Sequence, residues 1–305
     1  MKPPSRSWHK LRRESPLYVM LVPGVLLILL FNYIPMYGIR MAFQRFNPNN
    51  GLFGQQTWIG LTNFRVIFSN YYALRALRNT ILISFLKIST TIFVPILFSI
   101  LLNEVSSNSF RRTIQTSIYL PYFLSWVIMG SILVDLLTVD TGLLNSVIKM
   151  LGFNQVSFLG DNRYFRGVVV VSNIWKEFGY GTVMYLAAIT GIDPTLYEAA
   201  KVDGANRFQR IMHVTLPGMS MIIVLLAVLN IGNILNAGFD QIFNLYNPSV
   251  YETGDILDTY IYRLGLVDLQ YGQAAAVGLF KSLVSFLFIS SGYIIAYYKF
   301  DYSVF

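Results

Sequence analysis

The sequence predicts an all-α integral membrane protein with six transmembrane helices. The chain of 305 residues is 54% hydrophobic and only 12% charged, with a mean hydropathy of +0.52. Soluble domains carry roughly 25% charged residues, so this composition excludes an ordinary soluble protein. Apolar stretches of about 20 residues, the length that crosses a bilayer, recur along the chain. Lys and Arg are denser in alternate connections, as the positive-inside rule requires of cytoplasmic segments.

Each of the six apolar stretches is bounded by a polar link or loop. The predicted spans are residues 17–38, 79–102, 114–137, 167–191, 217–236 and 273–298. The first follows a basic head, residues 1–16, as a signal peptide would. Its length and the lack of a small-residue cleavage site indicate a retained span instead. No internal repeat or linker divides the chain, which predicts a single domain over residues 1–305.

The number of spans places both chain ends on one side of the membrane. Under this layout Lys and Arg are roughly twice as dense on the side of the termini, which predicts that the N- and C-termini are cytoplasmic. Residues 39–78, 138–166 and 237–272 are then the outer loops, and the polar stretch between the fourth and fifth spans lies inside.

That inner stretch carries its own helix signals. The pair Asp193–Pro194 predicts a helix start, with a side-chain cap followed by a residue of preset φ. Gly204 predicts the left-handed turn that ends this helix. Asn206, with Gln209 three residues later, predicts a capping box for a second short helix. Pro217 predicts a break, because the residue before a proline is disfavoured in helical conformation.

This stretch resembles the EAA loop of binding-protein-dependent ABC importer permeases. The residues that match in type and spacing are Glu198, Ala199, Ala200, Asp203, Gly204, Ala205, Phe208, Leu216 and Pro217. Val214 stands where isoleucine is more usual. The resemblance implies that residues 192–217, hereafter the coupling loop, seat on an ATP-binding subunit in the cytoplasm. It also implies a five-helix permease core over residues 79–298, preceded by a first span and outer loop over residues 17–78.

The resemblance extends over nearly the whole chain. The segments LPYFLSW, IWKEFGYG and AVGLFKS resemble the oligosaccharide and polysaccharide branch of that family, to which the permease of a bacterial alginate importer belongs. It implies one subunit of an ATP-driven importer in the bacterial inner membrane, surrounded by lipid. The implied partners are a second, similar permease, two cytoplasmic ATP-binding subunits and an extracytoplasmic sugar-binding protein. Nucleic acid is not an expected partner.

The chain itself lacks the residues for catalysis. It has no Cys, and its two His, His9 and His213, are too far apart to form a metal-ligand pattern. The segment Gly278–Ser282 lacks the spacing of a phosphate-binding loop. We therefore expect no catalytic residue, metal or bound cofactor here, with ATP and Mg held by partner subunits. The alternative is a stand-alone secondary transporter or channel, which would work without an ATPase.

Charged and amide side chains in the spans are candidates for the substrate path. Charges at membrane depth are costly and often functional, although structural pairing is an alternative. An amide stripe with a three-residue period suits hydroxyl-rich ligands, although hydrogen bonding between helices would use the same groups. The candidates are Lys176, Glu177 and Lys281 among the charges, and Asn230, Asn233 and Asn236 among the amides.

The last outer loop combines aromatic and polar residues. Phe239, Tyr246 and Tyr251, with Asp240, are candidates for contact with a sugar or with the binding protein, because aromatic faces beside polar groups suit carbohydrate. Aromatic residues also collect at membrane interfaces, so the residues alone leave both explanations open.

Overall fold

A computed structural model describes residues 6–232 and 234–300, which are mostly helical. The α-helices of the described residues are α1 Arg6–Ile28, α2 Thr62–Ser69, α3 Tyr71–Asn103, α4 Asn108–Tyr119, α5 Trp126–Leu137, α6 Leu143–Met150, α7 Asn162–Thr190, α8 Pro194–Val202, α9 Arg207–Arg210, α10 Leu216–Ile231, α11 Phe239–Leu245, α12 Tyr251–Gly254, α13 Leu257–Tyr262 and α14 Tyr271–Phe300.

Shorter turns and one strand pair complete the described structure. The 3-10 turns are Ile34–Phe43, Pro48–Asn50, Leu120–Phe123 and Pro248–Val250, and the π-helical turns are Leu29–Tyr33, Ile211–Thr215 and Arg263–Val267. Strands β1 Gln44–Arg45 and β2 Thr57–Trp58 pair antiparallel, with Gln44 opposite Trp58. Apart from this ribbon of two residues per strand, the regular structure of the described residues is helical, in agreement with the predicted helical class. The ribbon forms where the turn-forming residues 47–51 reverse the chain direction.

Four helical stretches of the described residues are long and apolar enough to cross a membrane. They are Glu14–Phe43, Tyr71–Asn103, Arg207–Ile231 and Tyr271–Ile294. These contain most of the first, second, fifth and sixth predicted spans. The fourth predicted span lies in α7, which has 29 residues but is less apolar, since Lys176 and Glu177 lie near its middle. The count of six spans therefore stays a prediction.

The third predicted span is not one continuous helix. Asn108–Phe123 and Trp126–Leu137 meet at an angle of 103°. Pro121 lies in a 3-10 turn, the chain is extended at Leu124, and Ser125 caps α5 by accepting a hydrogen bond from the amide of Ile128. A proline, which cannot donate to the helix ladder, followed by a good helix cap thus breaks the apolar stretch in two. We call this break the elbow, residues 120–125.

The described chain packs as two compact units. The first comprises residues up to Ile67 together with Leu264–Leu279. In this unit the side-chain amide of Asn63 donates to the carbonyls of Ala42 at 2.9 Å and Gln44 at 3.2 Å, which fixes the start of the ribbon. The long N-terminal stretch Glu14–Phe43 has no buried residue in its most apolar window, so this surface is free to face lipid or a partner.

The second unit comprises Phe68–Arg263 and residues from Phe280 onward. Helices α3 and α7 pack along each other through its centre. One buried cluster, containing Tyr185, Ile189 and Met219, joins them to α10. A second joins them to α5 and to the chain after α10, through buried side chains that include Ile83, Phe165, Ile242 and Ile256.

The predicted outer loop 237–272 is corrected by this second cluster. Residues 237–262, hereafter the inserted segment, fold as three short helices whose apolar side chains are buried against α3, α5 and α7. Gly254 shows how close the packing is, because a Cβ there would lie 2.3 Å from the ring of Phe165. The segment is part of the core rather than a surface loop.

Candidate functional site

The coupling loop folds as two short helices joined by a glycine turn, which confirms the prediction from its local signals. Asp193 accepts a hydrogen bond from the amide of Thr195 at 2.9 Å and so caps α8. The bond from this backbone amide lowers the pKa of the exposed Asp193 carboxyl below its ordinary value. Gly204 follows α8 with a φ of +79°, a conformation that side chains resist.

The second short helix begins with a reciprocal capping box. The side-chain oxygen of Asn206 accepts from the amide of Gln209 at 2.9 Å, and that of Gln209 accepts from the amide of Asn206 at 2.8 Å. Two donors that the start of α9 would leave without partners are thereby satisfied.

The predicted break at Pro217 is wrong. Leu216 keeps helical dihedral angles of −63° and −44°, and the chain runs from α9 through the π turn Ile211–Thr215 into α10. The amide of Leu216 bonds to the carbonyl five residues earlier, one residue further than in an α-helix. The π turn shifts the hydrogen-bond register where the missing N–H of proline would interrupt it.

None of the residues in the coupling loop that match the family motif is buried. Ala200, Ala205 and Leu216 are half-buried, and the exposed ones are Glu198, Ala199, Asp203, Gly204, Phe208 and Pro217. Large apolar side chains of the loop are exposed: Phe208 of the motif is 69% exposed, and Val202, which lies between motif residues, is 88% exposed. Apolar side chains that stand in solvent within a polar segment are typical of a protein-binding surface.

The coupling loop is tied to the rest of the second unit mainly at its two ends, where Ile192 packs against the buried cluster of α7 and α10 and Thr215 is buried. The hydroxyl groups of Tyr197 and Thr215 lie 3.0 Å apart and join α8 to the π turn. The guanidinium of Arg207 lies 4.0 Å from the carboxylate of Glu104, just after α3. Both side chains are exposed, so this ion pair stabilises little. It nevertheless locates the C-terminal end of α3 beside the coupling loop.

The predicted amide stripe is not a feature of one helix. α10 ends at Ile231, so Asn236 lies beyond it and is exposed. Asn233 lies outside the described residues. The side-chain amide of Asn230 donates to the carbonyl of Leu226 at 2.7 Å, within its own helix. Because α10 ends at Ile231, the helical period on which the prediction depended does not extend to Asn236.

Lys176 is bound at the elbow. Its ammonium group donates to the carbonyls of Tyr122 at 2.7 Å and Leu124 at 2.6 Å, and lies 5.5 Å from the centre of the Tyr122 ring. The side chain is only 7% exposed. A lysine is well suited to this place, because the carbonyls at the end of a helix lack donors and carry partial negative charge.

Aromatic rings gather beside the elbow. Tyr122 stacks on Tyr180 of α7 with ring centres 4.6 Å apart, and Tyr119 lies 5.1 Å from Phe123. A cavity of about 390 Å³ opens next to them, lined by Gln115, Thr116, Tyr119, Leu120, Phe123 and Val183. We call Tyr119, Tyr122, Phe123 and Tyr180 the elbow aromatics. Glu177, the residue after Lys176 in α7, is half-buried.

A second chain of aromatic rings runs along the inserted segment. Phe239 stacks on Phe243 at 5.1 Å, Phe243 meets Tyr262 at 4.9 Å and Tyr246 at 6.1 Å, and Tyr246 meets Tyr251 at 5.1 Å. Three of the four predicted contact residues of this loop therefore lie in one cluster, which we call the segment aromatics. Burial raises the pKa of Tyr246 to about 12, so its phenol is neutral at physiological pH.

Asp240, the fourth predicted contact residue of this loop, lies on α11 and is exposed. Its backbone carbonyl accepts a hydrogen bond from the side-chain amide of Asn244 at 2.7 Å. The carboxylate therefore stands at the surface on the helix that carries Phe239 and Phe243.

A buried polar network holds the start of the inserted segment. Lys87 of α3 donates to the carbonyl of Ala237 at 2.6 Å and to the side-chain oxygen of Gln241. Gln241 in turn donates to the carbonyl of Val169 at 2.7 Å and to the hydroxyl of Ser172 at 2.8 Å, both on α7. Gln241 is not among the predicted site residues, because a glutamine in a polar loop carries no sequence signal of burial.

A buried carboxylate holds the end of the inserted segment. Asp255 is fully buried and pairs with Arg263 through two contacts of 2.5 and 3.2 Å, while the hydroxyl of Thr259 donates to it at 2.8 Å. The side-chain amide of Asn79 in α3 donates to the carbonyl of Asp255 at 3.1 Å. This network also has no signature in the sequence, because its members are contributed by distant parts of the chain.

Lys281 of α14 is paired within the second unit. Its ammonium group lies 2.5 Å from the carboxylate of Asp258 in α13, and both side chains are about one-fifth exposed. Of the three charged residues predicted to line the substrate path, Lys176 and Lys281 thus have hydrogen-bonding partners within the protein. Glu177 is half-buried.

Two further features bear on the chemistry of the chain. An apolar cavity of about 380 Å³ is lined by Leu133, Leu137, Leu144, Phe158, Tyr164, Gly167, Val168, Val171, Ser172 and Trp175. Within residues 6–232 and 234–300, no group of three or more His, Cys, Asp or Glu side chains could hold a metal ion.

Comparison with known proteins identifies relatives along the whole chain. Protein LplB of Bacillus subtilis (strain 168) is 42% identical over 296 residues, which cover 97% of this chain and 92% of the relative. The polygalacturonan/rhamnogalacturonan transport system permease protein YteP of the same organism is 42% identical over 280 residues, covering 92% and 87%.

Two solved structures of ABC transporters contain a chain that is similar to this one. The chain is similar to one in the crystal structure of a bacterial ABC transporter involved in the import of the acidic polysaccharide alginate. The TM-score is 0.89 and the identity 39%, with 97% of this chain and 99% of that chain covered. A second structure, of a bacterial alginate ABC transporter in complex with alginate pentasaccharide-bound periplasmic protein, gives a TM-score of 0.87 at 39% identity, covering 96% of this chain and 97% of that one.

The family assignment follows from these matches together with the coupling loop. The profile of the binding-protein-dependent transport system inner membrane component matches residues 91–298, about two thirds of the chain. Those residues contain the coupling loop, the elbow and the inserted segment. The chain therefore belongs to the family of binding-protein-dependent transport system inner membrane components.

Proposed function

We propose that this chain is one permease subunit of an ATP-driven, binding-protein-dependent importer of oligosaccharides or polysaccharides in the bacterial inner membrane. The observation that carries the proposal is the coupling loop. It is capped by its own side chains, weakly tied to the helices around it, and exposes Val202 and Phe208 to solvent. Such an element is suited to enter a groove on a cytoplasmic ATPase, which binds ATP and Mg.

The proposed complex contains a second similar permease, two ATP-binding subunits and an extracytoplasmic sugar-binding protein. Residues 79–298 form the five-helix core of this permease, and residues 17–78 add a first span and outer loop. The complete layout has six spans with both termini cytoplasmic. ATP binding closes the two ATPase subunits, the coupling loop moves with them, and the spans turn the path from inward- to outward-facing.

The coupling role falls on the exposed residues of the coupling loop. Phe208 and the small residues Ala199 and Ala200 provide the surface that the ATPase approaches closely. Gly204 provides the turn between the two helices, and the pair Leu216–Pro217 joins the loop to α10. Glu198, Asp203 and Ala205 complete the set.

The saccharide substrate is supported by the names of the relatives and by the aromatic clusters. One relative is named for polygalacturonan and rhamnogalacturonan transport, and two similar structures are of alginate transporters. Stacked aromatic rings beside polar groups bind sugar rings well. We place the substrate path along the elbow aromatics and the segment aromatics. Its polar groups are Glu177, Asn230, Asn233, Asn236 and Asp240, with Lys176 and Lys281 behind them.

Reconstitution tests the function directly. The chain is co-expressed with its partner subunits and purified, and ATP hydrolysis in nanodiscs is measured with binding protein loaded with neutral or uronic-acid oligosaccharides. We expect an ATPase to co-purify and at least one sugar class to stimulate hydrolysis several-fold. Transport by this chain without any ATPase would instead identify a stand-alone transporter or channel.

Topology is tested separately, and the absence of cysteine makes the test simple. Val202→Cys in the coupling loop and Arg163→Cys at the start of α7 are both exposed positions. With a membrane-impermeant thiol reagent added outside spheroplasts, we expect Arg163→Cys to react and Val202→Cys to react only after permeabilisation. Labelling of Val202→Cys from outside would exclude a cytoplasmic coupling loop.

A further inference from the structure

Two buried lysines have the same local architecture at different places in the second unit. Lys176 is 7% exposed and Lys87 is 8% exposed, and each donates at least one hydrogen bond to a main-chain carbonyl where a helix is interrupted. Lys176 binds the elbow between α4 and α5. Lys87 binds Ala237, between the end of α10 and the start of α11.

A carbonyl at such a break has lost its helical donor, and leaving it unpaired away from water is costly. An ammonium group offers three donors from a single point, so one lysine can satisfy two acceptors that do not belong to a regular ladder. In each case the break is stabilised by a lysine from a neighbouring long helix. The position of the broken segment is therefore set by that helix rather than by its own hydrogen bonds.

A glycine accompanies each lysine and allows the close approach. Gly179 lies one turn after Lys176, and a Cβ there would lie 2.0 Å from the carbonyl oxygen of Ile118. Gly238 has a φ of +89°, and a Cβ there would lie 2.9 Å from the ammonium nitrogen of Lys87. A side chain at Gly179 would collide with the end of α4, next to the elbow, and one at Gly238 would collide with the ammonium group of Lys87.

Each stabilised break also carries an aromatic cluster. Lys176 contacts the backbone and ring of Tyr122, which stacks on Tyr180 beside the cavity of about 390 Å³. Lys87 fixes Ala237 and Gln241, which flank Phe239, the first member of the segment aromatics.

We infer that Lys176 and Lys87 are positioning residues of the substrate path, each holding a helix break in the place that aims an aromatic cluster at the sugar. The inference rests on the proposed function for the identity of the cargo. Neither lysine is required to touch the sugar. Each acts through the backbone of the elbow or of the inserted segment, and Gly179 and Gly238 are required for the same reason.

The test measures sugar uptake by the full complex in proteoliposomes, with Lys176→Met, Lys176→Arg and Lys149→Met compared. Lys149 is an exposed lysine on α6 and serves as the matched control. We expect Lys176→Met to raise the KM for uptake about tenfold, corresponding to about 1.4 kcal/mol, with the maximal rate reduced less. Lys176→Arg should recover part of the loss, because a guanidinium can also donate to two carbonyls. Lys149→Met should match wild type.

A second readout follows the elbow itself. In a Leu124→Cys background, where the native side chain is half-buried, we expect Lys176→Met to increase the thiol labelling rate several-fold and Lys149→Met to leave it unchanged. For Lys87 the milder variant Gly238→Ala, which displaces the ammonium group without removing it, should also raise KM. Assembly of the complex should persist in that variant.

The outcomes separate this inference from the proposed function. Unchanged KM and unchanged Leu124→Cys labelling in Lys176→Met would overturn the inference while wild-type uptake supports the function. A lower melting temperature with unchanged KM would reduce Lys176 to a purely structural role and also overturn it. Absence of saccharide uptake by the wild-type complex would refute the proposed function, and the labelling rates would still report on the elbow.

Discussion

The coupling loop and the inserted segment are both polar stretches between apolar helices, but they are built in opposite ways. Most hydrogen bonds of the coupling loop join residues two to five positions apart, as in the capping box of Asn206 and Gln209, and the bond between Tyr197 and Thr215 is an exception. The inserted segment is held by bonds across the chain, such as Asn79 to Asp255 and Lys87 to Ala237. In the proposed function, the coupling loop docks on another protein and must keep its shape with its surface free, whereas the inserted segment lines the path and must be placed by the helices around it.

This difference predicts a large stability effect at one carboxylate. Asp255→Ala removes a fully buried acid and leaves Arg263 and Thr259 without their partner. Breaking a buried pair on one side costs about 3–5 kcal/mol, so we expect a strong fall in the melting temperature of the detergent-solubilised protein. Asp258→Ala, which removes a partly exposed ion pair with Lys281, is the control and should cost about 1 kcal/mol or less. Equal melting temperatures for the two variants would show that the buried pair of Asp255 is no more important for stability than the partly exposed pair of Asp258.

In the coupling loop we expect loss of function without comparable loss of stability. Gly204→Val forces a β-branched side chain to a φ of +79°, at a cost of about 1–3 kcal/mol that is confined to the turn. Sugar-stimulated ATPase activity and ATPase recruitment should fall sharply. Gly152→Val is a matched control, because Gly152 has a φ of +83° and equally open surroundings. It should have similar stability and normal coupling. Normal ATPase recruitment by Gly204→Val would show that the turn is not needed for docking.

A smaller effect is expected at the second helix of the loop. Asn206→Ala removes the capping box, and loss of an N-cap typically costs about 0.5–2 kcal/mol. Because the loop is tied weakly to the core, the loss should appear as faster amide hydrogen exchange over residues 207–210. The global melting temperature should hardly change. Asn206→Asp keeps a capping oxygen and should restore slow exchange, and failure of this rescue would mean that the cap is not what orders α9.

The smallest effect concerns pH. In the folded loop the pKa of Asp193 is below its ordinary value. The charged carboxylate therefore stabilises α8 fully at any pH above that ordinary pKa. This contribution is lost as the pH falls through the lowered pKa, below about pH 4. Protection of residues 194–202 from hydrogen exchange, corrected for intrinsic rates, should therefore weaken in acid. Asp193→Asn keeps the cap but should show no such pH dependence. An identical acid response in both proteins would assign it to another group.

The same contrast explains how much could be read from the sequence. The caps at Asp193 and Asn206 and the left-handed Gly204 were predictable, since each depends on a few neighbouring residues. The elbow was not, because the apolar stretch 114–137 has the composition of one span, and only the capping residue Ser125 after Pro121 indicates a break. The burial of residues 237–262 was not predictable either, since Lys87 and Asp255 become partners only after the fold brings them together.

The amide stripe failed for a related reason. A three-residue period describes one face of a helix only while the helix continues, and α10 ends at Ile231. The wrong prediction of a helix break at Pro217 does not affect the match to the family motif. The π turn of Ile211–Thr215 keeps the chain helical and leaves the order of its exposed residues unchanged.

Helix α3 contacts both the coupling loop and the inserted segment. It is a single helix of 33 residues, about 50 Å long, with Asn79 in its first third bound to the inserted segment and Glu104 beside the coupling loop at its other end. Pro95 lies within it and touches α7 at Gly181, where a Cβ would lie 2.8 Å from the proline ring. A tilt of about 10° around that point would move the coupling end by about 2 Å and the opposite end by about 6 Å. In the proposed function, such a tilt would make a small displacement beside the coupling loop about threefold larger at the opposite end of α3.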